Sequence, residues 1–258
     1  MAFEWHGDLN GAAPVVRKMT IGASLYQGQL AMIDEGTATG GYIVKTPVAA
    51  AGPDTASHIV GIVSGIVTSP TYTASYYNGD LGTYSTTQAT LAAYDPPGPA
   101  VAEVVLVTPT TLIKAPIWQT TPGTSLNCLA ATTAVSAGTT FVTSGFSAAV
   151  DAFTTAYCRS GANAGQYRKV DGTGTTTQTV VIPFTYGVGI GDTFVVANIV
   201  EGYAHMDLLA TYLNGIDGEA ALTNYYKVYV HELNLKEAGR EYAVFSFCSN
   251  HLMIGAGV

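Results

Sequence analysis

Apolar and polar positions along this chain alternate in short runs cut by glycine, proline, asparagine and aspartate, the texture of β-strands joined by tight turns. Gly22 to Asp34 reads as strand, Gln27-Gly28 turn and strand. After a glycine turn over 36–41 comes Tyr42 to Lys45, and a loop over 49–54 leads into His58 to Thr68 (HIVGIVSGIVT), a buried strand. Ala102 to Trp118 predicts two strands with Pro109 at an edge or bulge, where its missing N–H costs nothing. Leu126 to Leu129 and Thr139 to Val142 open a further β region. There Gln166 to Val170 and Thr177 to Phe184 are strands flanking the Asp171-Gly172-Thr173-Gly174 turn. Tyr226 to Leu233 alternates strictly, with Tyr226, Val228 and Val230 on one face and Lys227, Tyr229 and His231 on the other, and Glu241 to Cys248 is one more strand. Only His205 to Asn214 and Asp217 to Tyr225 carry apolar residues at helix-like spacing, with Asn214-Gly215 as a stop and Asp217 as an N-cap. The expected fold is all-β, mainly antiparallel barrel or sandwich domains, with a few short helices near the C-terminus.

Texture divides the chain into residues 1–120 as an N-terminal β domain, 121–200 as an inserted barrel or sandwich, and 201–258 as a segment returning to the first domain's sheet. Asp95-Pro96-Pro97-Gly98-Pro99 is a rigid break within the first section. Just before it, Tyr72, Tyr76, Tyr77 and Tyr84 surround an Asn78-Gly79-Asp80 turn. Two roles suit such a cluster: cross-strand pairing inside a sheet, or contact with another protein, because tyrosine buries much area while losing few rotamers. These four tyrosines are the candidate interface.

The middle section carries a pattern with a recognisable likeness. Ser160-Gly161, then Ala164-Gly165-Gln166-Tyr167-Arg168, the Thr-rich strand Thr175 to Val181, Pro183-Phe184 and Gly191-Asp192-Thr193-Phe194-Val195-Val196 resembles a β insertion of tailed-bacteriophage structural proteins. The order of runs in the first section, ending in Val60-Gly61-Ile62-Val63, also resembles the small barrel of phage head-decoration proteins. The resemblance implies a virion protein made in the host cytoplasm that binds the outside of the capsid, with the major capsid protein as partner, and that bridges subunits as a cement. It further implies self-association, as a trimer at lattice three-fold points. A tail, baseplate or head-fibre component is the alternative within the virion, and a β-sandwich hydrolase the alternative outside it.

Composition points the same way. The 258 residues are 48% hydrophobic, ample for a core, yet only 11% are charged, against roughly a quarter in ordinary soluble proteins. A surface of Thr, Ser, Gly, Ala, Asn and Tyr is easily dehydrated against a neighbour. A net charge of −8 argues against nucleic acid as a partner, since phosphate binding needs clustered Lys and Arg; Arg159, Arg168 and Lys169 come nearest to a cluster. Arg168 and Lys169, adjacent on a strand, are expected on opposite faces. No apolar run reaches the ~20 residues of a membrane span, and the first twenty residues lack a secretory pattern, so no membrane partner is expected.

Catalytic and metal chemistry finds little purchase. Cys128, Cys158 and Cys248 are widely spaced without a CxxC, and are expected as three buried thiols, or as one disulfide and one thiol. His231-Glu232 lacks the second histidine of HExxH. Gly187-Val188-Gly189-Ile190-Gly191 lies between strands, where a turn explains it better than a phosphate loop. Glu201, His205 and Asp207 are a weak candidate cation trio, and Asp34-Glu35, Asp217 with Glu219, and Asp192 are candidate paired carboxylates; Asp192 is more simply a turn cap. The reading is therefore of a protein without catalytic residues, metal or cofactor, working by adhesion.

Overall fold

A computed structural model describes residues 2–22, 25–33, 43–45, 59–67, 77–78, 83–84, 101–119, 123–146, 153–171, 174–208, 215–219 and 226–252. In chain order the strands are β1 (Glu4–Asp8), β2 (Val16–Thr20), β3 (Leu25–Tyr26), β4 (Leu30–Ile33), β5 (Ile43–Lys45), β6 (Ile59–Val67), β7 (Tyr77–Asn78), β8 (Thr83–Tyr84), β9 (Val101–Leu106) and β10 (Thr111–Trp118). They continue as β11 (Cys128–Ala130), β12 (Thr140–Val142), β13 (Thr155–Cys158), β14 (Tyr167–Lys169), β15 (Thr177–Thr179), β16 (Thr193–Ala197), β17 (Gly202–Met206), β18 (Ile216–Asp217), β19 (Tyr226–Asn234) and β20 (Tyr242–Phe247). The protein is all-β. Among the described residues the only helical element is a 3₁₀ turn, Ser249–His251.

The central sheet runs β1-β10-β20-β19-β17, with β18 pairing β10. It joins the two ends of the chain: β1 pairs β10 in the N-terminal half, and β10 pairs β20 near the C-terminus. A second sheet, β2-β9-β6-β4-β5, holds Ile21, Leu25, Ala31, Ile43, Val60, Val63, Ala102 and Val104 in its own core. In β6 the run Val60-Gly61-Ile62-Val63 needs its glycine, because a Cβ at Gly61 would run into Val104 and the Val105 carbonyl of β9. Pro109 sits in the turn between β9 and β10, neither at an edge nor in a bulge; there its missing N–H leaves no ladder bond unmade.

The 128–197 region forms an open four-stranded sheet, β11-β16-β13-β14, with β12-β15 as a separate pair; the sheet does not close into a barrel. The reason lies in the two faces of β13 and β16. Ala156, Cys158, Phe194 and Val196 point into a core shared with Phe141, Phe146, Phe184 and Val188. Tyr157, Val195 and Ala197 point the other way, into a core shared with Val228, Val230, Ala243 and Phe245 of the central sheet. With both faces covered, Thr193 to Ala197 can be a near-continuous apolar run. Phe141 of β12 stacks on Phe194 with ring centroids 4.3 Å apart, so the β12-β15 pair is a second layer, not a continuation of the sheet.

The expected helix over 205–214 is corrected at its start: His205 and Met206 end β17, where Ala204 and Met206 face the core in alternation and tertiary pairing with β19 overrides the helical spacing. Ile216-Asp217 likewise forms β18. The remainder of both helical stretches, 209–214 and 220–225, lies outside the described residues, as do the turn over 36–41, the loop over 49–54 and the proline break over 95–99.

Candidate functional site

Two features of this architecture carry chemistry: a polar lock that seats the middle region on the central sheet, and an exposed face beside it.

The lock draws mostly on residues of the 160–196 pattern. Gly161 holds a φ of +89°, open to glycine, and its Cα lies so close to the Asp192 carboxylate that a Cβ would collide with it. Next to it, Ser160 Oγ accepts the Thr193 N–H at 3.0 Å and bonds Thr193 Oγ1 at 2.8 Å. Asn163, fully buried, bonds the Tyr186 N–H through Oδ1 and the Tyr186 carbonyl through Nδ2, both at 3.0 Å. Gln166 accepts from the Thr185 N–H at 3.1 Å, and Arg168 Nε donates to the Pro183 carbonyl at 3.0 Å. The Tyr167 hydroxyl accepts the Leu235 N–H of the central sheet's β19–β20 connection at 3.0 Å. Burial, opposed by that bond, raises the phenol's pKa. Arg159 completes the set. Its guanidinium donates to the Leu235 carbonyl from Nε at 3.0 Å and from Nη2 at 2.9 Å, and pairs with Glu241 Oε1 at 2.6 Å. The Glu241 side chain is fully buried and its Oε2 has no hydrogen-bond partner, so Arg159 is what makes that charge tolerable.

The exposed face begins where β14 meets residues 199–201. A cleft of about 170 Å³ opens there, with Tyr167, Arg168 and Lys169 on one side and Val200 and Glu201 on the other, and with Thr155 and Leu233 also lining it. Lys169 lies 6.0 Å from the Phe153 ring centre, whereas Arg168 stands over Phe184 at 5.3 Å, so the two neighbouring cations do serve opposite faces. Phe153 in turn packs on His205 (3.9 Å) and Tyr203 (6.0 Å). The strand register sets Tyr203 opposite Tyr229 and His205 opposite Lys227, and Tyr229 packs on His231 at 5.0 Å. The result is a strip of rings across the solvent side of β17 and β19, on which Tyr203 is 49% and Tyr229 51% exposed.

The other candidates fare differently. Among the described residues no group of three or more His, Cys, Asp or Glu could hold a metal ion; His205 turns to Phe153, and Asp207 is buried. Burial, helped by the charge of Asp217, raises the Asp207 carboxyl to about 7. Asp217 accepts the Glu219 N–H at 3.0 Å, and Asp192 accepts the Gly189 N–H at 2.8 Å, so both act as turn caps. His231 bonds Ser246 at 3.1 Å. Of the thiols only Cys158 is fully buried; Cys128 is exposed on the edge strand β11 and Cys248 is intermediate, and none is disulfide-bonded, which corrects the expectation of three buried thiols. Desolvation by burial raises the Cys158 pKa to about 11, which favours the thiol over the thiolate. Of the candidate interface tyrosines, Tyr77 and Tyr84 are register partners on β7 and β8, and Tyr72 and Tyr76 lie outside the described residues, as do Asp34 and Glu35. The aromatic strip escaped sequence reasoning because its rings come from segments roughly twenty-five to eighty residues apart; the one legible signal was the outward set Lys227, Tyr229 and His231.

Comparison with known protein families, with curated proteins and with solved structures finds no match to this chain.

Proposed function

We propose that this protein is a tailed-phage virion component that attaches to the outside of the capsid and holds neighbouring subunits of the shell together, with no turnover of its own. The observation that carries the reading is the segment from Val181 to Ile190. Nine large hydrophobic residues are exposed among the described residues, and Val181, Ile182, Tyr186 and Ile190 fall in this one stretch, with Ile190 72% and Ile182 66% exposed. The stretch is held in place by the Asn163, Gln166 and Arg168 bonds to residues 183–186. An apolar surface fixed before contact loses little conformational entropy on docking, so a larger share of its burial appears as affinity. Apolar side chains exposed together, as distinct from ones scattered singly, mark contact sites. Repeated by shell symmetry, even a modest interface becomes strong through multivalency. The likeness of residues 160–196 to phage structural insertions and the scarcity of charge support the same assignment.

The test is co-sedimentation of the purified chain with undecorated phage shells. Saturable co-migration is expected, and Ile182→Asp with Ile190→Asp should abolish it while leaving the fold intact by circular dichroism. A chain that stays in the supernatant at every shell concentration would reverse the assignment.

A further inference from the structure

The aromatic strip and its cleft differ in chemistry from the 181–190 segment, and they call for a different ligand. Where that segment offers aliphatic carbon, the strip offers flat rings interleaved with polar and cationic groups: Phe153, Tyr203 and His205 in ring-to-ring contact, Tyr229 on His231 and in register with Tyr203, Lys227 opposite His205, and Lys169 at the Phe153 end. We propose that this face binds an acidic oligosaccharide, its sugar rings laid along Tyr203 and Tyr229 and its carboxylates directed to Lys169 and Lys227, with one end entering the cleft beside Glu201.

Three observations favour that occupant. A half-exposed tyrosine gives an apolar ring face for the C–H face of a sugar and a hydroxyl tip for its hydroxyls, a pairing that suits a wet ligand. The chain has 18 acidic and 10 basic residues, yet the strip and cleft bring Lys169 and Lys227 together against Glu201, so the local charge is opposite in sign to the net charge and complements an anion. The core of a protein–protein contact is depleted of charge, whereas here the cations stand among the rings. A single-stranded nucleic acid also stacks on rings, but it needs cations along a continuous backbone track, and Glu201 interrupts one here.

The experiment titrates the whole chain with a galacturonate hexamer, a sialic-acid hexamer, a neutral glucose hexamer and a ten-nucleotide thymidine strand, read by calorimetry and by NMR shifts. At least one acidic hexamer should bind saturably, about tenfold or more tighter than the neutral one. Tyr203→Ala with Tyr229→Ala should weaken it by about tenfold or more, and Lys169→Gln should both weaken it and flatten its salt dependence. These side chains are exposed or half-exposed, so the variants should melt like the parent; Leu9→Ser, beside β1 at the opposite edge of the central sheet, should bind as the parent does. No saturable binding of either acidic hexamer, equal binding of the neutral hexamer, tighter binding of the thymidine strand, or unchanged affinity in the tyrosine variant would each overturn the proposal. Shell co-sedimentation is read separately, so failure here and failure of the capsid reading are distinguishable.

Discussion

Individual residues show how burial sets protonation in this fold. Asp207, 7% exposed, has its carboxyl raised from the ordinary 3.8 to about 7, first by desolvation and then by the charge of Asp217. His251 is the opposite case: burial, and then the nearby Lys227 charge, lowers it from 6.5 to about 4. Its Nε2 accepts the Lys227 N–H at 2.9 Å, which places any single ring proton on Nδ1, an atom without a partner. The signs follow. A carboxyl with a raised pKa binds its proton more tightly when folded, so its contribution is fullest in acid and is lost as pH rises from about 4 through 7. A histidine with a depressed pKa contributes above 6.5 and loses that contribution as pH falls toward 4. Asp207→Asn should therefore raise Tm at pH 8, by about 1–3 kcal/mol of stability or several degrees, with the gain fading as pH is lowered to 4. Scanning calorimetry from pH 4 to 9 checks this; parallel curves for parent and variant would count against it.

Among the elements, β13 and β16 matter most because they belong to two cores at once. Alternate residues of β16 face the Phe141 cluster and the central sheet, so the middle region is seated by apolar area on one side and by the Arg159, Tyr167 and Glu241 bonds at its rim. The buried Arg159–Glu241 pair is a matched set, and removing one member leaves a charge stranded. Arg159→Met should cost about 3–5 kcal/mol in chemical denaturation, while Arg159→Met with Glu241→Gln should recover a large part of that loss. Additive losses in the double-mutant cycle would show that the pair is not coupled. The apolar run from Thr193 to Ala197 was legible as a strand, and the turns at Ser160-Gly161 and Gly191-Asp192 were legible from their glycines. That these two turns bond each other through Ser160 and Thr193 was not, because more than thirty residues separate them and no local pattern records the contact.

At the scale of the whole molecule, the described surface separates into chemically distinct regions: the aliphatic 181–190 segment and the aromatic, cationic strip over β17 and β19. Their substitutions should separate as well. Ile182→Ser with Ile190→Ser should reduce binding of a hydrophobic dye while changing stability by less than about 0.5 kcal/mol, since both side chains are more than half exposed. A large fall in Tm would show that the segment is packed in solution, against another copy of the chain. The central sheet ties these regions to both ends of the chain, because β1 and β10 pair into the same sheet as β19 and β20.

The sequence by itself determined the all-β character, most strand positions and the outward face of β19, because period-2 alternation and turn residues are local properties of the chain. Tertiary structure alone decided that the middle sheet stays open, that His205 belongs to a strand, that Glu241 is held by Arg159, and that Phe153 packs on Tyr203 and His205. Each of these depends on which surfaces compete for burial across long chain separations, and a linear pattern holds no record of that competition.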